Sequence, residues 1–261
     1  MNPTKLFSPD FVLGKTFLLG RAVGGAMGLV VRRPSTRSWR VARLALQVTP
    51  RYTMVAPNRL AALYDIVQQA NALELVGDIV ECGTWHGGSA AIMAAACRDD
   101  DWLDRRSFWL FDSFQGLPAP GEQDGMNERR RFFPGWCTGD MARVQQIMVA
   151  HGVSPDRLHI GAGWFEQTLP TAAVEQIAAL HIDVDWYASV KTVLHAFYDK
   201  VVPGGFIVFD DYGQWPGCRT AVQEFLQRVG VMDQAIVRPT KSSAYVRKPT
   251  TPNRSLSSRA P

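Results

Sequence analysis

Hydrophobic residues along this chain fall into short continuous runs separated by segments with helical spacing. The short runs predict strands at 78–82, 107–111, 158–162, 181–187 and 206–212, followed by a closing pair at 234–237 and 243–246. Apolar residues three to four positions apart predict helices over 59–75, 90–97, 141–151, 189–200 and 216–228. Strands that alternate with helices indicate an α/β fold, with a mostly parallel sheet and helices on both faces.

Two of the predicted strands, neighbours along the chain, end in acidic residues. The run at 181–187 carries Asp183 and Asp185, and the run at 206–212 carries Asp210 and Asp211. A right-handed crossover brings the ends of two such parallel strands to the same edge of the sheet. Four converging carboxylates repel one another, and a hard divalent cation with oxygen ligands is their natural counter-charge. The sequence therefore predicts a Mg²⁺-type site.

The first predicted strand runs into a glycine-rich loop, which begins at Gly83 and ends at Ser89 before the next helix. This layout presents backbone N–H groups and a helix N-terminus to a ligand. The loop lacks the GxGxxG spacing, and Trp85 stands where close approach of a pyrophosphate needs glycine. A ligand without phosphates fits better, and S-adenosylmethionine (SAM) is such a ligand. A plain turn that only requires glycine is the alternative.

Residues after the second and third strands add to this prediction. Asp112 lies 24 residues beyond Gly88, where Rossmann-like sheets hold the hydroxyls of a ribose. Alternatively, Asp112 forms a turn or caps a helix. Gly163 and Trp164 are candidates for an adenine pocket, although Trp164 is equally compatible with the core.

Two histidines and a long loop also bear on the site. His86, in the glycine loop, is the histidine best placed to meet a cofactor carboxylate or a substrate. His181 is predicted to be a hydrogen-bonded core residue. Residues 114–139 combine glycine, proline, charge and large aromatics over a length that exceeds an ordinary connection. We expect them to form a mobile lid.

The charge distribution argues against a nucleic-acid partner. The chain of 261 residues has a formal net charge of +4, but residues 52–246 hold 15 basic against 23 acidic side chains, a net charge of −8. The basic residues are concentrated at the two ends, with no basic stripe interleaved with aromatics. We therefore expect no nucleic-acid partner; a small-molecule or glycan acceptor is instead what the resemblance carried by the motifs below implies.

The chain is predicted to have three parts: an N-terminal arm (1–51), one catalytic domain (52–248) and a disordered tail (249–261). The apolar stretch 11–31 is interrupted by Lys15, Arg21 and five glycines. It favours a docking helix, at the interface of a homo-oligomer, over stable membrane insertion. Four cysteines without CxxC spacing indicate neither zinc nor disulfides and fit a reducing cytoplasm.

Several motifs together resemble the macrocin O-methyltransferase family. They are Tyr52-Thr53-Met54, VECGTWHGGS, FDSFQGLP, GWFEQTLP, DVDWY and PGGFIVFDDYG followed by PGCR, in unbroken order over about residues 50–230. The resemblance implies a class I SAM-dependent methyltransferase fold, with a seven-stranded sheet whose last strand is antiparallel. It also implies SAM- and Mg²⁺-dependent methylation of sugar hydroxyls.

The resemblance further assigns roles to individual residues. It implies SAM contacts at Thr53, Met54, Glu81, Ser89, Asp112 and Ser113. It implies metal ligands at Asp183, Asp210 and Asp211, and a general base at Asp185. Val184, Trp186 and Ala188 depart from the family's glycine, leucine and glutamate, and we expect all three on the substrate side.

The function expected from the sequence is methyl transfer from SAM to a hydroxyl of a sugar, a glycosylated natural product or a polysaccharide precursor. Two alternatives remain open at this point. One is an O-methyltransferase acting on another vicinal diol, such as a catechol, because a diol on Mg²⁺ is all that the site demands. The other is a non-catalytic SAM-binding scaffold, since a fold does not fix a function.

Overall fold

The computed structural model describes residues 36–250. Its core is a six-stranded sheet with the strand order β3-β2-β1-β4-β5-β6, parallel except for the last strand. The strands are β1 (Asp78–Cys82), β2 (Phe108–Asp112), β3 (Leu158–Ala162), β4 (Ile177–Ile182), β5 (Val201–Phe209) and β6 (Ala244–Arg247). The α-helices are α1 (Thr36–Val48), α2 (Pro57–Ala72), α3 (Gly88–Asp99), α4 (Met126–Arg131), α5 (Met141–Ala150), α6 (Phe165–Thr168), α7 (Tyr187–Phe197) and α8 (Pro216–Arg228).

Helices cover both faces of this sheet, which confirms the predicted α/β fold. Side chains alternate along β1, so that Ile79 belongs to a core formed with α1, α2, α3 and α5, while Val80 belongs to a core formed with α7 and α8. All six residues of β4 are buried. That burial is expected of a central parallel strand, since helices exclude water from both of its faces.

Helix α1 lies in the part of the chain predicted as an arm, yet it packs into the main core. Val41, Ala45 and Val48 are buried in the same cluster as residues of α2 and α3. The three residues recur at helical spacing and form one apolar stripe. The predicted domain boundary at residue 52 stays a prediction, but the described portion of the arm contributes to the core of the domain.

The two strands that carry the acids differ from their predicted bounds. Strand β4 ends at Ile182, so Asp183 and Asp185 lie in the loop beyond it, and α7 begins at Tyr187. Strand β5 begins at Val201 and contains Pro203-Gly204-Gly205, which the sequence had predicted as the turn closing the preceding helix. The proline is tolerated because the pairing register shifts between Ile177 and Ala179.

The predicted seventh strand, 234–237, does not form. Residues Asp233–Ala235 make a 3₁₀ turn, and a single antiparallel bridge joins Val237 to Tyr245. Pro239 follows two residues later and has no N–H group to extend the ladder. The described sheet therefore has six strands, and β6 supplies the antiparallel edge.

Two predicted segments fall mainly outside the described residues. The docking helix over 11–31 lies outside them, as does the tail from residue 251. Within residues 36–250, no helix has both the length and the apolar character needed to cross a membrane.

The strand order places a crevice between β1 and β4. The chain runs outward from β1 in both directions, through β2 and β3 on one side and through β4 and β5 on the other. Loops at the carboxyl ends of β1 and β4 consequently diverge, and ligands bind at this kind of switch point in open α/β sheets. The acids after β4 and β5 and the glycine loop after β1 all lie at this edge.

Candidate active site

Three carboxylates converge at the carboxyl ends of β4 and β5. Ile182 pairs with Phe209, so the residues that follow each strand are neighbours. One ligand oxygen from each of Asp183, Asp210 and Asp211 lies within 4.8 Å of the other two. The structure thus brings together the three predicted metal ligands.

Asp185 lies beside this cluster, in the same loop as Asp183. Its φ of +56° is in the left-handed region, which is costly for a residue with a side chain and occurs often at functional sites. The indole Nε1 of Trp215 donates a hydrogen bond to Asp185 Oδ1. Burial raises the pKa of Asp185 to about 6, although hydrogen bonds from its neighbours oppose that rise.

The electrostatics of the cluster favour an added cation. Burial, together with the neighbouring carboxylates, raises the pKa of Asp183 and of Asp211 well above the usual value. Oδ2 of Asp211 is buried and has no hydrogen-bond partner. A buried orphan oxygen is costly unless a ligand satisfies it. Three carboxylates with such an oxygen suit a hard divalent cation, so the residues present fit Mg²⁺.

Two basic side chains adjoin the acids. Arg59, at the start of α2, contacts Asp210 and lies 3.7 Å from Asp211. His181 Nε2 lies 3.9 Å from Asp210 Oδ1. Burial lowers the pKa of His181, but the carboxylates of Asp210 and Glu81 outweigh it and raise the pKa to about 10.

The glycine loop and the 52–54 segment form the wall opposite the acids. Thr53, Met54, Gly83, Thr84 and Ser89 line one cavity of about 220 Å³ together with the four aspartates. Gly88 allows this arrangement, because a Cβ there would lie 2.7 Å from the Tyr52 carbonyl oxygen, which accepts the Gly88 N–H. The buried Thr84 Oγ1 lacks a hydrogen-bond partner and is available to a ligand.

A second, smaller cavity adjoins the first at the end of β2. Ser113, Gly163 and Trp164 line it, and Gly83 and Asp112 line both cavities. Asp112 also accepts hydrogen bonds from the backbone N–H groups of Trp85 and Phe114, at 2.8 and 2.7 Å. Both interpretations of Asp112 are therefore compatible with the structure, since it fixes the loop and faces the cavities.

Two residues that the sequence offered as cofactor contacts line neither cavity. Glu81 is fully buried inside the sheet, and its Oε1 lies 2.8 Å from Nδ1 of His181. Its side chain points into the core toward His181, and the SAM contact that the resemblance implies stays a prediction. His86 stacks on Trp85 at 3.7 Å, and its Nδ1 lies 3.3 Å from the Arg51 carbonyl oxygen.

Residues 114–139 provide one side of the larger cavity. Leu117, Trp136 and Cys137 line it. The segment is tied to the loop after β4, because Trp186 Nε1 donates to the Pro118 carbonyl oxygen at 2.9 Å and the backbone N–H of Tyr187 donates to the buried Asp124 at 2.9 Å. The predicted lid is thus in contact with the site, and its motion stays a prediction.

The three departures from the family pattern lie in different places. Val184 lines the smaller cavity, on the predicted cofactor side. Trp186 is buried behind the larger cavity, where its ring packs against Trp215 at 5.5 Å. Ala188 is exposed. The expectation that all three flank the substrate stays a prediction.

Comparisons with known proteins agree with this geometry. A family model described as macrocin-O-methyltransferase (TylF) matches residues 33–248. The chain is 34% identical over 205 residues to mycinamicin III 3''-O-methyltransferase of Micromonospora griseorubida, covering 77% of this chain and 80% of that protein. It is 33% identical over 185 residues to 8-demethyl-8-(2,3-dimethoxy-alpha-L-rhamnosyl)-tetracenomycin-C 4'-O-methyltransferase of Streptomyces olivaceus, covering 70% of each.

A solved structure extends the similarity to three dimensions. The O-methyltransferase NovP superposes with a TM-score of 0.68 at 30% sequence identity, covering 76% of this chain and 82% of that chain. The chain is therefore a member of the macrocin O-methyltransferase family, with the class I methyltransferase fold.

Proposed function

We propose that this protein transfers the methyl group of SAM to a hydroxyl of a sugar, either on a glycosylated natural product or on a polysaccharide precursor, with Mg²⁺ as the metal. The observation that carries the proposal is the three-carboxylate cluster with its orphan oxygen, beside Asp185 and within the cavity that the glycine loop lines. The name of one relative specifies methylation of a rhamnosyl tetracenomycin.

The cofactor is expected to occupy the two adjoining cavities. Asp112 lies where they meet, next to Gly83, and is suited to the ribose hydroxyls. Gly163 and Trp164 are available to the adenine, and Ser89 and Thr84 to the amino-acid end. When bound, SAM supplies an electrophilic methyl group on a sulfonium centre.

Asp183, Asp210 and Asp211 would hold the metal, and Asp185 would act on the acceptor. A bound divalent cation lowers the pKa of a hydroxyl and orients it. Asp185 would accept the hydroxyl proton, because its carboxylate lines the same cavity as the three metal-binding aspartates without belonging to their cluster. Trp215 holds the Asp185 carboxylate in place through its indole N–H.

Residues 114–139 are proposed to exclude water from the reaction. Trp136 and Leu117 present apolar surface to the cavity that contains the four aspartates. Removal of water strengthens electrostatic interactions within the site. Contact with this segment would also hold the acceptor oxygen near the methyl group, and methyl transfer depends mainly on that positioning.

The direct test is incubation of the purified protein with labelled SAM, Mg²⁺ and a panel of acceptors. The panel should contain nucleotide sugars, natural-product glycosides, free glycans and catechols. Label in glycosides or sugars supports the proposal. Label in catechols alone indicates a different vicinal diol as the acceptor, and label in none, with SAM bound, indicates a non-catalytic scaffold.

Asp112→Ala is expected to weaken SAM binding by about 10- to 100-fold. It would remove charge-assisted hydrogen bonds worth roughly 1.5–3 kcal/mol each. The substitution also frees two backbone N–H groups, so affinity by calorimetry and thermal stability must be measured separately.

Asp140→Ala is the matched control for Asp112→Ala. Asp140 also accepts two backbone N–H groups, those of Ala142 and Arg143 at the start of α5, and it lines neither cavity. This variant should lose stability of about 0.5–2 kcal/mol and keep SAM affinity. Unchanged SAM affinity in Asp112→Ala would reassign Asp112 to a purely structural role.

A further inference from the structure

Arg59 places a guanidinium group among the acids of the metal cluster. Its Nη1 contacts Oδ2 of Asp210, and it lies 3.3 Å from the Asp210 carbonyl oxygen and 3.7 Å from Oδ1 of Asp211. The Arg59 side chain is 13% exposed, so the ion pair is largely withdrawn from water. Loss of one partner from such a pair leaves the other charge buried and uncompensated.

The helix that carries Arg59 does not account for its position. Arg59 lies in the first turn of α2, where the helix dipole disfavours a cation, and that turn contains no acidic residue. The favourable contacts are instead with Asp210 and Asp211, which are about 150 residues away along the chain. The acids at the sheet edge therefore account for the buried arginine.

The two aspartates differ in what they leave open to a ligand. Asp211 retains a buried oxygen, Oδ2, that has no hydrogen-bond partner. Asp210 has a basic side chain near each of its oxygens, because Arg59 contacts its Oδ2 and His181 Nε2 lies 3.9 Å from its Oδ1. A divalent cation that joins this cluster must therefore share Asp210 with Arg59 or displace it.

We infer that Arg59 is a built-in counter-ion that neutralises the cluster when no divalent cation is bound and competes with that cation for Asp210. This inference rests on the metal site proposed above. Arg59 acts through Asp210 and Asp211, so it is a positioning residue. It keeps the carboxylates together between binding events and sets the affinity of the site for metal.

Arg59→Met removes the charge and keeps most of the apolar stem. In EDTA, the melting temperature of this variant should fall by roughly 5–10 °C, because the buried carboxylates lose their fixed cation. Saturating Mg²⁺ should restore most of the lost melting temperature. Calorimetric titration with Mg²⁺ should show about tenfold tighter binding than in the wild type, since a positive charge beside the metal has been removed.

Two further variants sharpen the comparison. Arg59→Lys keeps a cation and should stay within about threefold of the wild-type Mg²⁺ affinity, although it loses the planar fork of arginine. Arg40→Met removes a second arginine, which is 57% exposed. Its Nη2 lies 2.5 Å from Asp99 Oδ1, and this ion pair is not part of the site. It should change the melting temperature little and leave the Mg²⁺ affinity unaltered.

The outcomes separate this inference from the proposed function. If the wild type binds Mg²⁺ and Arg59→Met binds it equally or more weakly, Arg59 is not a competing counter-ion, while the metal site stands. If the wild type binds no Mg²⁺, the metal site is wrong and this role is wrong with it. Should Arg59→Met fail to fold, Arg59→Gln, which keeps an N–H donor without the charge, must show the same tighter binding.

Discussion

Asp185→Asn is expected to lower kcat by roughly 10²–10⁴-fold while Mg²⁺ and SAM bind almost normally. Asp185 lies outside the three-carboxylate cluster, and its own backbone is in the left-handed region. Trp215 orients its carboxylate. An amide of the same shape cannot accept the hydroxyl proton. Steady-state kinetics together with calorimetric titration of both ligands would measure the separation.

Trp215→Phe is the companion variant for Asp185→Asn. It removes the N–H that contacts Asp185 Oδ1 and leaves the carboxylate itself in place. Its kcat should therefore fall less than that of Asp185→Asn. If high Mg²⁺ restores the rate of Asp185→Asn, Asp185 is a metal ligand, and the base must be sought elsewhere.

Asp183→Asn is expected to raise the Mg²⁺ concentration needed for half-maximal activity by at least roughly 100-fold. Replacing a residue that only hydrogen-bonds to a metal ligand typically lowers metal affinity about 10- to 100-fold. Loss of a charged ligand should lower it by at least as much. Added Mg²⁺ should recover part of the rate, in contrast to Asp185→Asn. A Mg²⁺ dependence identical to that of the wild type would remove Asp183 from the metal site.

The acidic cluster could be predicted from the sequence because its geometry follows from topology. Asp183 and Asp210 each follow a buried strand, and a helix of ordinary length connects the two strands. Parallel strands joined in this way are commonly neighbours, with their carboxyl ends at the same edge. The order of elements along the chain was therefore enough to predict that these acids converge.

Residues that reach the site from distant parts of the chain could not be predicted in the same way. Arg59 contacts Asp210 across 151 residues, and Trp215 contacts Asp185 through a side chain whose direction depends on the loop after β5. The family pattern implies a SAM contact at Glu81, and it does not indicate that this side chain points into the core toward His181. Such contacts depend on tertiary packing, which no local pattern in the sequence encodes.

The bounds of some elements were also beyond local patterns. The run from His181 to Tyr187 has the composition of a strand, yet the chain leaves the sheet at Ile182 and turns through Asp185 into α7. The opposite error occurred at Pro203-Gly204-Gly205, which has turn composition but continues β5 with a shifted register. Pairing with neighbouring strands outweighed local propensity in both places.

The dependence of methyl transfer on a divalent metal tests the central claim most directly. The wild-type protein should be treated with EDTA, passed into metal-free buffer and assayed with labelled SAM and an accepted glycoside, before and after Mg²⁺ is added. The account predicts no measurable turnover without metal, SAM binding preserved, and recovery of the rate with added Mg²⁺. Full activity in metal-free buffer would contradict it.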